Sequence, residues 1–145
     1  MATGFFNVPV AKNEPINSYA PGTKERASLQ TAIAEARSKQ IDVPMYINGE
    51  EVRTDKKVPM SPPHDHQHIL GYFSEGDASH VQASIDAALA AKKDWAAMSW
   101  ENRASIFLKA AELIAGPYRA KINAATMIAQ SKTIHQAEID SACEL

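Results

Sequence analysis

The sequence predicts a mostly helical chain with a small β component, preceded by an extended arm. Prolines recur in the first 22 residues and disfavour a helix there. An Asn-Gly pair at residues 48–49 lies between two short strand-like segments, as in a β-hairpin. Beyond residue 80, apolar side chains recur at helical spacing. These observations place the β structure early in the chain and most of the helices late.

The composition is that of an ordinary globular chain, and it excludes several classes of partner. The length of 145 residues is enough for one domain with a core. Of these residues 45% are hydrophobic and 22% are charged, as in a typical globular protein. The net charge of −2 provides no basic surface for nucleic acid or an anionic membrane, and no apolar run approaches the ~20 residues of a membrane span. Residues 1–15 lack a secretory signal and are not Arg-rich like a mitochondrial transit peptide. A single cysteine cannot form an internal disulfide, so we expect a reducing, cytoplasmic compartment.

Residues 1–22 are predicted to form the extended arm. The arm is either a disordered tail or a segment that packs on the rest of the subunit, and both interpretations stay open for its first dozen residues. A first helix is predicted over residues 23–40, with Thr23 as its N-cap. Its apolar face is narrow, which indicates a surface helix. Pro44 follows as a helix breaker.

A hairpin is predicted over residues 45–52, because Asn48 and Gly49 accept the positive φ angles of a two-residue type I′ turn. The Pro-rich stretch 58–67 is predicted to be a loop. The apolar and aromatic residues that follow, 68–73, predict a strand.

Four helices are predicted after this strand. Gly116-Pro117 ends the second of them and starts the third. Thr133 and Gln136 form a capping-box pair for the last. The side chains expected to cap the first two are Asp77 and Ser99.

The late helices carry apolar stripes, and one of them is predicted to be core. It consists of Trp95, Ile106, Phe107 and Ile114. Helices with such stripes normally cover a sheet, so we expect the chain alone to be marginally stable and to self-associate. The last helix has no glycine stop and ends on an apolar residue, Leu145, which predicts truncation of a longer protein.

A histidine segment and a cysteine resemble reactive sites, but we predict neither a metal site nor a catalytic nucleophile there. The segment His64-Asp65-His66-Gln67-His68 has zinc-binding side chains but no second ligand group at a recognisable spacing, so no metal site is predicted. Cys143 lies near Asp140 and Glu144, which would raise its pKa, and it is predicted to be a packed structural cysteine. No Gly-rich phosphate loop is present, and Ser131-Lys132 is expected to be a turn with an exposed lysine.

Several segments resemble the N-terminal region of the aldehyde dehydrogenases. A Trp and an Arg are followed by FLKAAELI, SKT and QAEID, an order typical of that family. The longer stretches are most similar to its glutamate-semialdehyde branch: NEPINSYAPGTKERASLQTAI, INGEEV, SPPHDHQHILGYF, RASIFLKAAELIAGPYRAKI and KTIHQAEIDSACEL. The resemblance covers residues 13–145.

The resemblance implies an α/β fold with a Rossmann-like cofactor domain, a catalytic domain and an oligomerisation arm. Residues 23–145 would supply the leading helices and hairpin of the cofactor domain. The implied activity is NAD-dependent oxidation of L-glutamate 5-semialdehyde, formed from 1-pyrroline-5-carboxylate, to L-glutamate in proline degradation. The family's nucleophilic cysteine, general base and NAD contacts would all lie beyond Leu145. The chain alone is therefore expected to be inactive, with no catalytic, cofactor-binding or metal-binding residue of its own.

The resemblance also implies a small-molecule substrate, a homo-oligomeric parent protein and one site residue. Glu144 matches a family glutamate near the aldehyde tunnel, where its carboxylate would bind the substrate's α-amino group. Without the resemblance, Glu144 is a solvated helix carboxylate. Two alternatives remain: a non-catalytic helical packing or adaptor module, and an aldehyde dehydrogenase of another substrate branch. The long N-terminal helix signature GTKERASLQTAI argues against the second.

Overall fold

The structure is a computed structural model that describes residues 9–144. Its helices are α1 (Lys24–Ser38), α2 (Ala78–Ala97), α3 (Trp100–Ala115), α4 (Arg119–Gln130) and α5 (Ile134–Ala137), and α5 continues directly into a π-helix (Glu138–Cys143). Its strands are β1 (Ile41–Val43), β2 (Met45–Ile47), β3 (Glu50–Val52), β4 (Lys57–Met60) and β5 (Gly71–Ser74). The helices predominate, which confirms the mostly helical α/β prediction.

The strands form two small sheets. In the first, β5 lies in the middle, parallel to β1 and antiparallel to β4. The second is the β2–β3 hairpin, in which Ile47 pairs with Glu50. Its turn residues Asn48 and Gly49 have φ angles of 55° and 81°, so the predicted two-residue turn with positive φ is confirmed.

Two predictions about the β structure need correction. The predicted loop over residues 58–67 is wrong at its start, because residues 57–60 form β4. Pro59 is compatible with a strand here since β4 is an edge strand of its sheet. The strand predicted over residues 68–73 begins later, as β5, and β1 is too short for a periodic pattern to predict it.

The helix boundaries follow the local capping signals closely. Asp77 accepts hydrogen bonds from the backbone N–H groups of Ser79 and His80, and Ser99 accepts one from Asn102. The Thr133–Gln136 capping box is present at the start of α5. At α1, the predicted cap is wrong in its chemistry, because the Thr23 hydroxyl donates to the carbonyl of Ala20 (2.9 Å) and accepts no helix N–H.

The hydrophobic core lies between the arm, α1 and α4. Its buried members are Tyr19, Leu29 and Ala124. The partly buried side chains packed against them are Ala32, Ile33, Met127 and Ile134. A segment without helix or strand, residues 9–20, therefore contributes an aromatic residue to the core.

The apolar stripe on α2 and α3 is not core in this chain, so that prediction is wrong here. Trp95 is 42% exposed, Ile106 50% and Phe107 67%, and Ile114 is half-buried. Val81 and Leu89 on α2 are also exposed. The core is built from the arm, α1, α4 and α5, and it includes no residue of α2 or α3. Within residues 9–144, no helix combines the length and the apolar character needed to cross a membrane.

Candidate functional site

A buried ion pair joins α4 to the start of the π-helix. Glu138 is 0% exposed and Arg119 is 9% exposed. Arg119 donates to Glu138 through two nitrogens, with Nη2 2.5 Å from Oε1 and Nε 3.2 Å from Oε1. Arginine suits such a site because its planar fork matches a carboxylate.

The remaining positions around the Glu138 carboxylate are also occupied by donors. The Tyr19 hydroxyl donates to Oε2 at 2.7 Å, and the Asn123 side-chain amide donates to the same oxygen at 2.7 Å. The backbone N–H of Asn17 donates to Oε1 at 2.8 Å. A buried carboxylate is tolerated only when it is paired and hydrogen-bonded in this way. We call these residues, Asn17, Tyr19, Arg119, Asn123 and Glu138, the Glu138 cluster.

The cluster keeps both partners of the ion pair charged. Burial by itself raises the pKa of Glu138, but the hydrogen bonds from Arg119, Tyr19, Asn17 and Asn123 outweigh it and lower the pKa to about 2. The hydrogen bond to Glu138 raises the pKa of Arg119 in turn. The pair is therefore ionised throughout the neutral pH range.

The arm is tied to this cluster by further contacts. Arg119 donates to the carbonyl of Pro15 at 2.6 Å and forms an ion pair with Glu14. Tyr19 adopts a positive φ of 51°, which is unusual for a bulky residue and costs free energy unless its surroundings hold it. Arg26 donates to the Tyr19 carbonyl at 3.1 Å and contributes to that restraint.

The π-helix is held to its surroundings at several positions besides Glu138. Ser141 shares a hydrogen bond of 2.7 Å with Thr126 on α4. Lys132 is half-buried and forms an ion pair with Asp140, so the expectation of an exposed lysine is wrong. The segment is thus fixed against α4 and the turn that follows it.

Glu144, the predicted substrate-binding residue, comes directly after the π-helix. Its side chain is exposed, and its backbone N–H donates to the carbonyl of Ile139 at 3.1 Å. Its role in substrate binding stays a prediction. The Glu138 cluster lies six positions earlier, at the first residue of the same π-helix.

Cys143 is a free, half-buried thiol. Its pKa is raised mainly by burial of the thiol and further by the negative charge of Glu138. The expected direction of the shift is confirmed, but the expected cause is partly wrong: Asp140 contributes nothing resolved, and Glu144 contributes least. A thiol with a raised pKa has little thiolate at neutral pH, which agrees with a structural cysteine.

The histidine segment is used for packing contacts. His64 Nδ1 lies 2.6 Å from the Ser131 hydroxyl, and Asp65 pairs with Arg37 at 3.2 Å. Among residues 9–144, no three His, Cys, Asp or Glu side chains are grouped so that they could hold a metal ion. Ser131 occupies the left-handed C-cap of α4, with φ 56°, so the predicted turn is present.

Sequence reasoning did not find the Glu138 cluster. Its members are separated by up to 121 positions, and no spacing pattern links them. There was one local signal of its burial. Glu138 lies four positions after Ile134 and four before Ala142, so in a helix it shares one face with two apolar residues. Burial of a charged residue becomes visible only when α4, the arm and the π-helix are assembled.

Comparison with known proteins identifies the family of the chain. The model of the aldehyde dehydrogenase family matches residues 50–144. A delta-1-pyrroline-5-carboxylate dehydrogenase from Agaricus bisporus is 52% identical over 143 residues, covering 97% of this chain and 26% of that protein. The human protein named delta-1-pyrroline-5-carboxylate dehydrogenase, mitochondrial, is 41% identical, covering 92% of this chain and 24% of its own length.

Solved structures agree with the sequence matches. The Delta-pyrroline-5-carboxylate dehydrogenase from Mycobacterium tuberculosis bound with NAD and cobalamin superimposes with a TM-score of 0.95 and 42% identity, covering 99% of this chain and 27% of that one. The chain thus spans about a quarter of the length of the relatives it matches. The family match extends from β3 to the residue after the π-helix, and by it this chain belongs to the aldehyde dehydrogenase family.

Proposed function

We propose that the whole protein containing this chain is a Δ1-pyrroline-5-carboxylate dehydrogenase. Such an enzyme oxidises L-glutamate 5-semialdehyde, formed from 1-pyrroline-5-carboxylate, to L-glutamate in proline degradation. The observation that carries the proposal is the match of nearly the entire chain to relatives bearing that name, at 52% and 42% identity. A non-catalytic helical module is not favoured, because the fungal, human and mycobacterial relatives all bear the name of a dehydrogenase.

NAD is the proposed cofactor, and it would accept the hydride removed from the aldehyde carbon. We propose that the described residues contribute no nucleotide site. They contain no Gly-rich phosphate loop, and their cationic side chains nearest the C-terminal turn are already paired: Arg119 with Glu138, and Lys132 with Asp140. We therefore assign no NAD contact to residues 9–144, and we expect no NADH when the 145-residue chain alone is mixed with NAD and substrate.

Within this chain, we propose that Glu144 contributes to substrate selection. Its carboxylate would accept hydrogen bonds from the ammonium group of a substrate that is itself an amino acid. The support is its position at the end of a rigidly held turn and its exposure in the isolated chain, which leaves the carboxylate accessible. A charge-assisted hydrogen bond of this kind contributes about 1.5–3 kcal/mol.

The test is Glu144→Ala in the whole protein, measured with two aldehydes. We expect kcat/KM for glutamate semialdehyde to fall roughly 10- to 100-fold, because each 1.4 kcal/mol is about one decade. Propanal has no amino group, and its kcat/KM should change far less. Glu35→Ala, which removes an exposed carboxylate from α1, is the matched control and should affect neither substrate. Equal losses on both aldehydes, or none, would return Glu144 to the role of a solvated carboxylate.

We also propose a division of the chain into an arm and a domain, and a homo-oligomeric assembly of the whole protein. We place the arm at residues 1–22 and the N-terminal part of the dehydrogenase domain at 23–145, and the contacts of Arg119 with Glu14 and Pro15 support an arm that packs on the subunit. A homo-oligomer is supported by the exposed apolar faces of α2 and α3. Sedimentation of the whole protein would test it.

The cytoplasmic location stays a prediction. Relatives from human, mouse and zebrafish are named mitochondrial. Microscopy of the whole protein with a fluorescent tag at its C-terminus would decide between the two compartments.

A further inference from the structure

The π-helix determines the direction in which Glu144 points. In an α-helix the N–H of Glu144 would reach the carbonyl four residues back, at Asp140, but here it reaches the carbonyl of Ile139, five residues back. One extra residue in a turn rotates the side chains that follow by about 100° relative to a continuous α-helix. Restoring an α-helical turn would therefore direct Glu144 to a different side of the helix.

The local sequence gives no reason for this turn to be a π-helix. The segment EIDSAC contains ordinary helix residues and neither Gly nor Pro, and α-helical hydrogen bonding is the strongly preferred alternative for such a sequence. The π-turn must therefore be selected by contacts with the rest of the protein. Those contacts are the Glu138 cluster at its first residue and the Ser141–Thr126 hydrogen bond in its second half.

Two of the donors to Glu138 come from the arm. Asn17 donates through its backbone and Tyr19 through its hydroxyl, and both lie more than 100 positions from Glu138 in the sequence. Tyr19 is 5% exposed and holds a strained backbone conformation, so its hydroxyl is delivered to Glu138 in one fixed geometry. The arm is thus part of the structure that selects the π-turn.

We propose that Tyr19 and Thr126 are positioning residues for substrate recognition. Tyr19 acts through Glu138 and Thr126 through Ser141, and together they hold the π-turn that directs Glu144 towards the ammonium group of the substrate. This inference rests on the proposed function, in which Glu144 binds that group. Neither residue touches the substrate.

The principal test is Tyr19→Phe in the whole protein. This change removes the hydroxyl that donates to Glu138 but keeps the buried ring in the core. We expect KM for glutamate semialdehyde to rise roughly 3- to 10-fold, with kcat changed less than about twofold. The value of kcat/KM for propanal should be unchanged. Tyr46→Phe is the matched control: it removes an exposed hydroxyl that donates to Glu51 at 2.8 Å in the hairpin, and it should leave both substrates unaffected.

Two further variants make the outcome decisive. Thr126→Val keeps the side-chain shape but removes the hydrogen bond to Ser141, and it should shift KM in the same direction even if Tyr19→Phe yields no folded protein. In a Glu144→Ala background, Tyr19→Phe should cause no additional loss of selectivity, because the residue being positioned is gone.

The results separate the two proposals. If Glu144→Ala is selective but Tyr19→Phe and Thr126→Val change both aldehydes alike or not at all, the positioning role is refuted and the proposed function stands. If Glu144→Ala itself is not selective, the substrate-binding role of Glu144 and the positioning role are both refuted, and the proposal of a dehydrogenase, which rests on the sequence matches, is unaffected. A selective loss in the single variants that disappears in the Glu144→Ala background supports both.

Discussion

Replacing Arg119 by Met should destabilise the fold more than any other single change of an arginine in this chain. The substitution keeps the aliphatic stem but leaves the Glu138 carboxylate, which is 0% exposed, without its counter-charge. Removing one partner of a buried ion pair typically costs about 3–5 kcal/mol, because the remaining charge stays buried and unpaired. The contacts of Arg119 with Glu14 and Pro15 are lost at the same time, which places the expected value in the upper part of that range.

The assay is urea-induced unfolding followed by circular dichroism at pH 7. Arg37→Met is the matched control, since Arg37 pairs with Asp65 at 3.2 Å but both side chains are more than one third exposed, and exposed pairs contribute at most about 1 kcal/mol. Arg119→Lys should lie between the two, because lysine keeps the charge but loses the planar fork. If Arg119→Met and Arg37→Met lower the free energy of unfolding equally, the argument from a buried, unpaired charge is wrong.

Three other outcomes are expected. The pKa of Glu138 is about 2 in the folded protein against an ordinary 4.5. The contribution of the ionised carboxylate to the free energy of unfolding is therefore complete above pH 4.5 and is lost as the pH falls towards 2. Glu138→Gln should remove this part of the pH dependence of unfolding. Gly71→Ala should cost about 1–3 kcal/mol in the same assay, since a Cβ would lie 2.1 Å from the backbone oxygen of Ile41. Gly76→Ala should cost less, because a Cβ there would meet side-chain atoms only, the nearest being the Met45 sulfur at 2.7 Å. Phe107→Asp should reduce self-association of the 145-residue chain in sedimentation, because it places a charge in the exposed apolar face of α3.

Signals confined to a few neighbouring residues could be read from the sequence. Asp77 and Ser99 begin their helices as predicted, and Asn48-Gly49 forms its turn, because each acts on backbone groups within three positions. The π-helix could not be predicted, since its cause lies in contacts with α4 and the arm.

The prediction of core residues failed on α2 and α3, where the apolar faces are exposed. Phe107 has the helical spacing of a core residue, but spacing shows only which side of a helix is apolar and not what covers it. Glu138 shows the reverse case: a charged residue in an acidic segment is completely buried because distant donors converge on it. Glu144 was predicted only through family resemblance, because an exposed carboxylate at the end of a helix carries no local signal of substrate binding.

The separation of the arm from the π-helix has a consequence for synthesis of the chain. Tyr19 and Glu138 are 119 positions apart, so the hydrogen bond between them cannot form until most of the chain has left the ribosome. At about 5–20 residues per second, the interval between the synthesis of the two residues is roughly 6–24 s. During that time the aromatic ring of Tyr19 has no finished core to enter. Slower or interrupted translation would lengthen this period, in which the apolar ring of the nascent arm is open to aggregation.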